Sequence, residues 1–304
     1  MPPEFRDDEA LLASLAELGA ETAYRPWNDA TVDWQSFDLV VAKSPWDYTQ
    51  HHREFLSWTG RVGERLESAP ELIRWNSDKH YLAEIGEAGV AVVRTAYVEP
   101  GAAPPPIETE IVVKPTISAG ARDTGRFGPA SAAAGAALIE RITAAGDTAM
   151  VQPFLSSVET GGETAVVTFA GEVSHTLRKR PVLRPDEVAP VREGDALGVA
   201  EAMYHPDLVD AGTADPAELA LAESVLSYVA ERFGATPLIA RIDMLRDGGG
   251  EPVLLELEAI EPNLYFDRAP GAAERLARAI VARAEARKSR QATGGRARPR
   301  RGAG

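Results

Sequence analysis

The sequence predicts a mixed helix-and-strand protein: a small α/β lobe first, then a body containing strand hairpins. Three observations carry this. Leu11, Leu12, Leu15 and Leu18 recur with helical spacing, forming one apolar stripe of a helix from Asp7 to Gly19, which the glycine closes. The run Phe37-Asp-Leu-Val-Val-Ala is compact and apolar, as in a buried strand, and helical spacing returns from His51 to Leu66, an alternation that fits an α/β lobe. Farther on, two strand pairs each fold about a turn: Glu163 to Lys179 around Ala170-Gly171, and Leu238 to Leu257 around Asp247-Gly-Gly-Gly.

The remaining elements follow in order. The lobe opens on a helix where a doubly wound lobe opens on a strand, so a strand is expected to be missing from the start. Ser77 is placed to cap a helix from Asp78 to about Glu87, ended near Gly89. Pro100 to Pro106 is a proline-rich surface loop. Glu110-Ile-Val-Val-Lys-Pro reads as a strand, followed by the loop Thr116-Ile-Ser-Ala-Gly-Ala-Arg-Asp-Thr-Gly and an alanine-rich helix from about Pro129 to Ala145. Thr148 to Gln152 is a short strand and Arg180 to Asp210 is irregular. Pro216 to Phe233 is a helix, and a final helix runs from about Ala272 to Arg287. There is no internal repeat.

Composition narrows the function. The 304 residues are 44% hydrophobic, ample for a core. A formal net charge of -14 opposes nucleic acid as the main partner. With no cysteine, disulfides, thiol catalysis and thiolate-bound metal are excluded. No apolar run approaches the ~18 residues of a membrane span, and Met1 to Ala10 lacks the apolar core of a signal peptide; a cytoplasmic protein is expected. From Arg287 onward there are six arginines, one lysine and no acid, which reads as a disordered, solvated basic end.

The most informative segment is Ala240-Arg-Ile-Asp-Met-Leu-Arg-Asp-Gly-Gly-Gly-Glu-Pro-Val-Leu-Leu-Glu-Leu-Glu. With the turn centred between Gly249 and Gly250, Asp243 lies opposite Glu256 and Arg241 opposite Glu258. Side chains alternate faces, so Arg241, Asp243, Glu256 and Glu258 share one face, while Ile242, Met244, Leu255 and Leu257 pack into a core. Three carboxylates this close repel unless a cation sits among them. Hard oxygens suit magnesium, which keeps waters and takes phosphate oxygens, and Arg241 can hold an oxyanion or phosphate. A solvated polar face, with Arg241 neutralising one acid, explains the same hairpin in isolation.

Lys114 ends a strand, and Ser118, Gly120 and Gly125 sit in the loop after it. Small residues let backbone N–H groups approach phosphates and a lysine adds a point charge, although the order is not that of a Walker loop. Lys79 alone reads as a helix-surface lysine. Gln152-Pro-Phe-Leu follows a short strand, and Glu159 and Glu163 flank Gly161-Gly162, where a carboxylate can take ribose hydroxyls or remain solvated. His175 and Lys179 share a face by parity; His175 is an acid, a base or a hydrogen-bonded core histidine.

Taken in order, Asn76-Ser-Asp-Lys, Ile111-Val-Val-Lys-Pro with its small-residue loop, Val151-Gln-Pro-Phe-Leu, Glu159 with Gly162-Glu163, Arg241-Ile-Asp243 and Leu255-Glu256-Leu-Glu258 resemble the ATP-grasp superfamily over roughly residues 70 to 265. Ser44-Pro-Trp-Asp-Tyr, Arg74-Trp-Asn-Ser-Asp-Lys-His-Tyr-Leu, Ser118-Ala-Gly-Ala-Arg-Asp-Thr, Ser174-His-Thr-Leu-Arg-Lys and Leu255-Glu-Leu-Glu-Ala-Ile-Glu-Pro are similar to the group that includes the O-ureidoserine cyclo-ligase of D-cycloserine formation.

The resemblance implies an α/β N-terminal lobe (1–75) followed by an α+β ATP-grasp fold, whose two subdomains (76–155, with the phosphate loop, and 156–288, with the metal site) clamp ATP between antiparallel sheets; 289–304 is the disordered basic tail. It implies that Lys79, Lys114 and Lys179 meet the nucleotide or its phosphates, and that Ser118 and Gly120 belong to a mobile loop over them. Gln152, Phe154 and Leu155 form the adenine-side linker, and Glu159 takes the ribose. Arg241 steadies the acyl phosphate, and Asp243, Glu256 and Glu258 hold magnesium, with manganese as a substitute. The family commonly carries Asn where this chain has Glu258, which adds a charge; Asn263 offers an amide nearby. Trp46, Asp47, Tyr48, Arg122, Asp123, His175 and Asn263 are candidate contacts to a small carboxylate substrate, though Trp46 and Tyr48 suit a core equally.

The implied reaction is ATP-driven acyl-phosphate formation followed by attack of an amine, within one molecule for a cyclo-ligase or between two for an amino-acid or peptide ligase. A nucleotide-binding module without turnover is the different-class alternative. The missing first strand implies a misplaced start or an impaired copy, and a homodimer is the family-level expectation. Glu256→Ala is expected to abolish magnesium-dependent ADP formation with little loss of fold.

Overall fold

In the computed structural model, which describes residues 6–194 and 197–294, the first helix, α1 (Arg6–Glu17), buries Leu11 and Leu15. Leu18 departs from the expected stripe and is 45% exposed, because the chain leaves the helix at Leu18. A short parallel pair follows, β1 (Val40–Val41) with β2 (Leu66–Glu67), joined through α2 (His52–Val62). Trp27, Tyr48, Phe55, Trp58 and Ile73 pack with β1 and β2 into an aromatic core. Helix α1 is not part of that core: it lies on the last helix and on Leu264 and Phe266.

Next come α3 (Pro70–Asn76) and α4 (Tyr81–Glu87). Pro70 starts α3 with a preset φ at a position that needs no N–H donor. Ser77 therefore ends α3 rather than capping the next helix: its N–H donates to the Ile73 carbonyl, and its hydroxyl meets Arg74 O at 3.0 Å and a His52 ring nitrogen at 2.8 Å.

A four-stranded antiparallel sheet is built from β3 (Ala96–Val98), β4 (Ile111–Pro115), β5 (Gly125–Phe127) and β6 (Ala149–Pro153), in the order β3-β6-β4-β5. Helix α5 (Ala132–Ala144) covers one face through Leu138, Ile139 and Ile142. The short helix α6 (Ser157–Gly161) leads into a five-stranded antiparallel sheet of β7 (Glu163–Phe169), β8 (Glu172–Lys179), β9 (Val209–Ala211), β10 (Ile239–Arg246) and β11 (Pro252–Glu258), ordered β11-β10-β7-β8-β9. The segment expected to be irregular contains β9 and a 3-10 turn at Glu201–Tyr204.

Helix α7 (Pro216–Phe233) begins at Asp215, whose carboxylate accepts from Ala217 and Glu218 N–H while Glu218 reaches back, a capping box. It packs Val225 and Val229 against Val166, Ile242 and Met244. Helix α8 (Ala272–Gly294) covers part of the opposite face with α1. It continues past the expected end at Arg287 into the segment read as a disordered tail; the remainder of that tail lies outside the described residues.

The edge strand β11 would present unpaired backbone groups. Asn76 covers it by donating to Leu257 O and accepting from Ala259 N, both at 2.8 Å, and the Tyr81 hydroxyl bonds Leu257 O and N at 2.9 Å. These contacts bring the Asn76-to-Lys79 stretch against the acidic strand.

Candidate active site

Strands β10 and β11 pair Asp243 with Glu256 and Arg241 with Glu258, as the turn argument expected. Nearer the turn the register slips by one residue: Met244 pairs with Leu254, leaving Leu255 as a bulge. The core face is therefore Ile242, Met244, Leu254 and Leu257. Leu255, expected in the core, instead joins Leu155 and Val158 beside the cavity.

The site is an interlocked set of charges. Arg241 Nε donates to Asp243 Oδ1 at 2.9 Å and Nη2 to Asp243 Oδ2 at 2.8 Å, while Nη2 also holds Glu258 and Nη1 donates to the Asn263 carbonyl at 3.1 Å. Lys179 Nζ donates to Asp243 Oδ2 at 2.9 Å and to Glu163. From the smaller sheet's side, Lys79 Nζ lies 3.2 Å from Glu256 Oε1 and donates to the Ser118 carbonyl at 2.7 Å, and Lys114 Nζ lies 3.7 Å from Glu256 Oε2. Glu256 thus bridges the two sheets.

Burial pushes each carboxyl upward, and neighbouring cations decide the outcome. Lys79 and Lys114 hold Glu256 below its ordinary value, and Arg241 with Lys179 hold Asp243 far below. Glu258 stays raised because burial outweighs Arg241. Burial takes Glu163 up to about 7 against the pull of Lys179, and takes Glu261, with repulsion from Glu258, up to about 8. Burial lowers Lys114; for Lys179, Asp243 and Glu163 overcome burial and raise it.

These groups line a cavity of about 710 Å³ between the sheets. Lys79, Lys114, Ser118, Gly120, Gln152, Phe154, Leu155, Trp46, Tyr48 and Asn263 line it too. Gly120 has φ +62°, and a Cβ there would meet Val199 at 2.8 Å. The Gln152 side chain donates to Thr95 Oγ1 at 2.9 Å, and the Phe154 ring lies 3.4 Å under the Arg126 guanidinium.

Five expected contacts are not brought there. Glu159 is exposed and accepts from Arg126 at 2.7 Å. Asp47 accepts from Trp27 Nε1 at 2.8 Å inside the first lobe. Asp123 is held by Arg141 at 2.7 Å, and Arg122 lies against Gly198. His175 shares the face of Lys179, but that end of the sheet is covered by Leu264, whose carbonyl meets its ring at 2.8 Å.

Two residues escaped the sequence reading. Asp7 accepts from the backbone N–H groups of Leu264, Tyr265 and Phe266 at 2.7–2.9 Å, fixing the loop whose Asn263 carbonyl steadies Arg241. An acid in a helix's first turn otherwise reads as a dipole partner. Glu261 sits beyond the strand, where no alternation marks its face.

The donor set suits a hard cation: Asp243 and Glu256 sit opposite each other and Glu258 is on the same face. Each is engaged by lysine or arginine, and among the described residues no group of three or more His, Cys, Asp or Glu is gathered as a metal cluster. Magnesium fits by taking one or two of these carboxylates together with phosphate oxygens and waters.

The fold is that of solved ligases. D-alanine–D-alanine ligase from Bacillus anthracis, solved with ATP, matches with a TM-score of 0.60 at 14% identity over 94% of each chain. The ATP-grasp ligase PsnB, solved with its minimal precursor, Mg and ADP, matches with a TM-score of 0.54 at 17% identity, covering 93% of this chain and 96% of that one. Two antiparallel sheets with a charged cavity between them are the fold this chain shares with those ATP-grasp ligases. The profile for the N-terminal domain of D-cycloserine synthetase DcsG matches residues 1–70. The chain is 32% identical over 297 residues to the cycloserine biosynthesis protein DcsG of Streptomyces lavendulae, covering 93% of each. The crystal structure of D-cycloserine synthetase DcsG matches with a TM-score of 0.82 at 30% identity, covering 93% of this chain and 96% of that one. This chain belongs to the DcsG family. Among the described residues no helix is long and apolar enough to cross a membrane.

Proposed function

We propose that this chain is an ATP- and magnesium-dependent carboxylate–amine ligase acting on a small amino-acid-like substrate, and that its reaction is the cyclisation of O-ureidoserine to cycloserine. The observation that carries the reading is the interlocked charge set in a cavity between two antiparallel sheets. Kinship to a cycloserine biosynthesis protein over nearly the whole chain supports the choice of substrate.

The substrate carboxylate attacks the γ-phosphate of ATP, giving an acyl phosphate and ADP. Lys79, Lys114 and Lys179 offset the charge on the phosphates, and Arg241 steadies the carboxylate oxygen as it takes the phosphoryl group. Asp243, Glu256 and Glu258 would hold magnesium, or manganese in its place, which when bound screens charge on the phosphoryl oxygens. The Ser118-to-Thr124 loop keeps water from the acyl phosphate. Gln152, Phe154 and Leu155 border the adenine, and Trp46, Tyr48 and Asn263 border the substrate. The ureido nitrogen bound to oxygen then attacks the carbonyl and phosphate leaves, with no second substrate to be gathered; the carbamoyl group on that nitrogen is lost with water as carbon dioxide and ammonia, giving cycloserine. In this reading 1–75 closes the substrate side, while 76–155 and 156–288 hold the nucleotide. The enzyme is cytoplasmic and homodimeric.

The test is ADP release from MgATP with O-ureidoserine alone, and with amino acids in the presence and absence of amine acceptors. Turnover with O-ureidoserine alone is expected. Turnover only with an acid plus an amine makes the chain an intermolecular ligase. Tight ATP binding without turnover across the panel leaves a nucleotide-binding module.

A further inference from the structure

The cavity's carboxylates are not alike. Glu163, Asp243, Glu256 and Glu258 each carry a lysine or arginine partner, and Asp7 is occupied by three backbone N–H groups. Glu261 is only 8% exposed and lines the cavity, yet among the described residues it forms no ion pair. The hydroxyl of the buried Tyr48 lies close enough to act on its carboxyl, and the half-buried Trp46 donates Nε1 to the Glu261 backbone carbonyl at 3.1 Å. An acid buried without a cation stays protonated until a ligand brings a cation to it, and then ionises against that charge.

Position tells which charge. Lys79, Lys114, Lys179 and Arg241 gather around Asp243 and Glu256, where phosphate and the reacting carboxylate belong. Glu261 follows the end of β11 on the first-lobe side, next to Ile260 in the aromatic core. The cavity is therefore cationic around Asp243 and Glu256, while Glu261, which feels the fields of Glu258 and Lys79, has Trp46 and Tyr48 beside it and no ion-pair partner among the described residues. An amino acid has the matching polarity: its carboxylate faces the cations and its ammonium faces the acid.

We propose that Glu261, bordered by Trp46 and Tyr48, is the subsite that binds the α-ammonium group of the substrate and makes the enzyme select amino acids over simple carboxylic acids. The inference rests on the ligase reading and adds the feature by which the substrate is chosen.

The experiment uses the full chain and two probes, O-ureidoserine and its deamino analogue, with MgATP saturating. Wild type is expected to prefer the amino form by about tenfold or more in KM, the scale of a hydrogen bond to a charged group. E261Q is expected to raise KM for O-ureidoserine by about that factor with kcat changed less than about threefold. Its KM for the deamino analogue and its affinity for MgATP stay as in wild type, and E261D recovers part of the preference. An E261Q enzyme that weakens both probes equally, or that keeps the wild-type preference, overturns the subsite while leaving the ligase reading in place. A wild-type chain that neither turns over nor binds either probe overturns O-ureidoserine as the substrate, and this subsite with it.

Discussion

At the scale of single residues, the site works by offsetting buried charges against one another. Glu256 shows the consequence. The sequence expectation was that Glu256→Ala would remove metal-dependent activity with little loss of fold. Its carboxylate also balances Lys79 and Lys114, both buried, so its removal leaves two ammonium groups uncompensated. Glu256→Ala is expected to abolish ADP formation and to cost about 3–5 kcal/mol, read by urea unfolding. Glu261 behaves in the opposite sense. Its carboxyl titrates near 4.5 when unfolded and near about 8 when folded, so the folded state binds the proton more tightly. That contribution to stability is full below pH 4.5 and is lost as pH rises toward 8. Wild type is therefore expected to weaken relative to Glu261→Gln across that window, on the order of a few kcal/mol; parallel unfolding curves from pH 4.5 to 8 contradict the assignment. Arg241, Asp243, Glu256 and Glu258 were legible because two-residue alternation fixes a shared face. Glu261 was not, because a side chain beyond the strand follows no period. For Glu159 and Asp47 residue type marks a candidate ligand, and the fold adds what sequence does not show: Arg126 bonds the first and Trp27 the second.

At the scale of elements, the site depends on connections that local sequence does not announce. Asp7 on α1 holds the Leu264–Phe266 backbone, and that loop supplies the carbonyl that steadies Arg241. Asp7→Ala leaves three N–H groups without their acceptor. It is expected to cost at least about 2 kcal/mol and to lower kcat more than it alters MgATP affinity; unchanged kcat with an unchanged melting temperature contradicts this link. Gly120 is the corresponding point on the loop proposed to cover the phosphates. Its φ of +62° and its closeness to Val199 leave no room for a side chain, so Gly120→Ala is expected to cost about 1–3 kcal/mol and to raise KM for MgATP. The β10–β11 pairing was read correctly at Asp243 and Glu256 by an argument that missed the turn's register: the bulge at Leu255 restores by one residue what the turn takes away. The bounds of α7 are those expected, Pro216 to Phe233, and the capping box at Asp215 fixes its start, whereas α3 has no counterpart among the expected helices and Ser77 ends α3, since a serine beside an acid caps a helix start and ends a helix equally well.

At the scale of the whole molecule, most of the fold was legible as elements and little of it as contacts. Hairpin pairing is local and periodic, so it can be read along the chain. The approach of Lys79 and Lys114 to Glu256 joins segments far apart in sequence, and only the ordered string of motifs hinted at it. The net charge of -14 coexists with a cavity rich in lysine and arginine, so the pull on an anionic nucleotide is local, and affinity for MgATP is expected to fall with added salt less than an exposed basic patch would allow. In the proposed reaction ATP activates the substrate carboxylate as an acyl phosphate. The most direct measurement is isotope transfer: O-ureidoserine labelled with ¹⁸O in its carboxylate is turned over with MgATP, and the released phosphate is weighed by mass spectrometry. One labelled oxygen per phosphate, together with ADP, is the result this account expects. Unlabelled phosphate, or release of AMP and pyrophosphate, would contradict it.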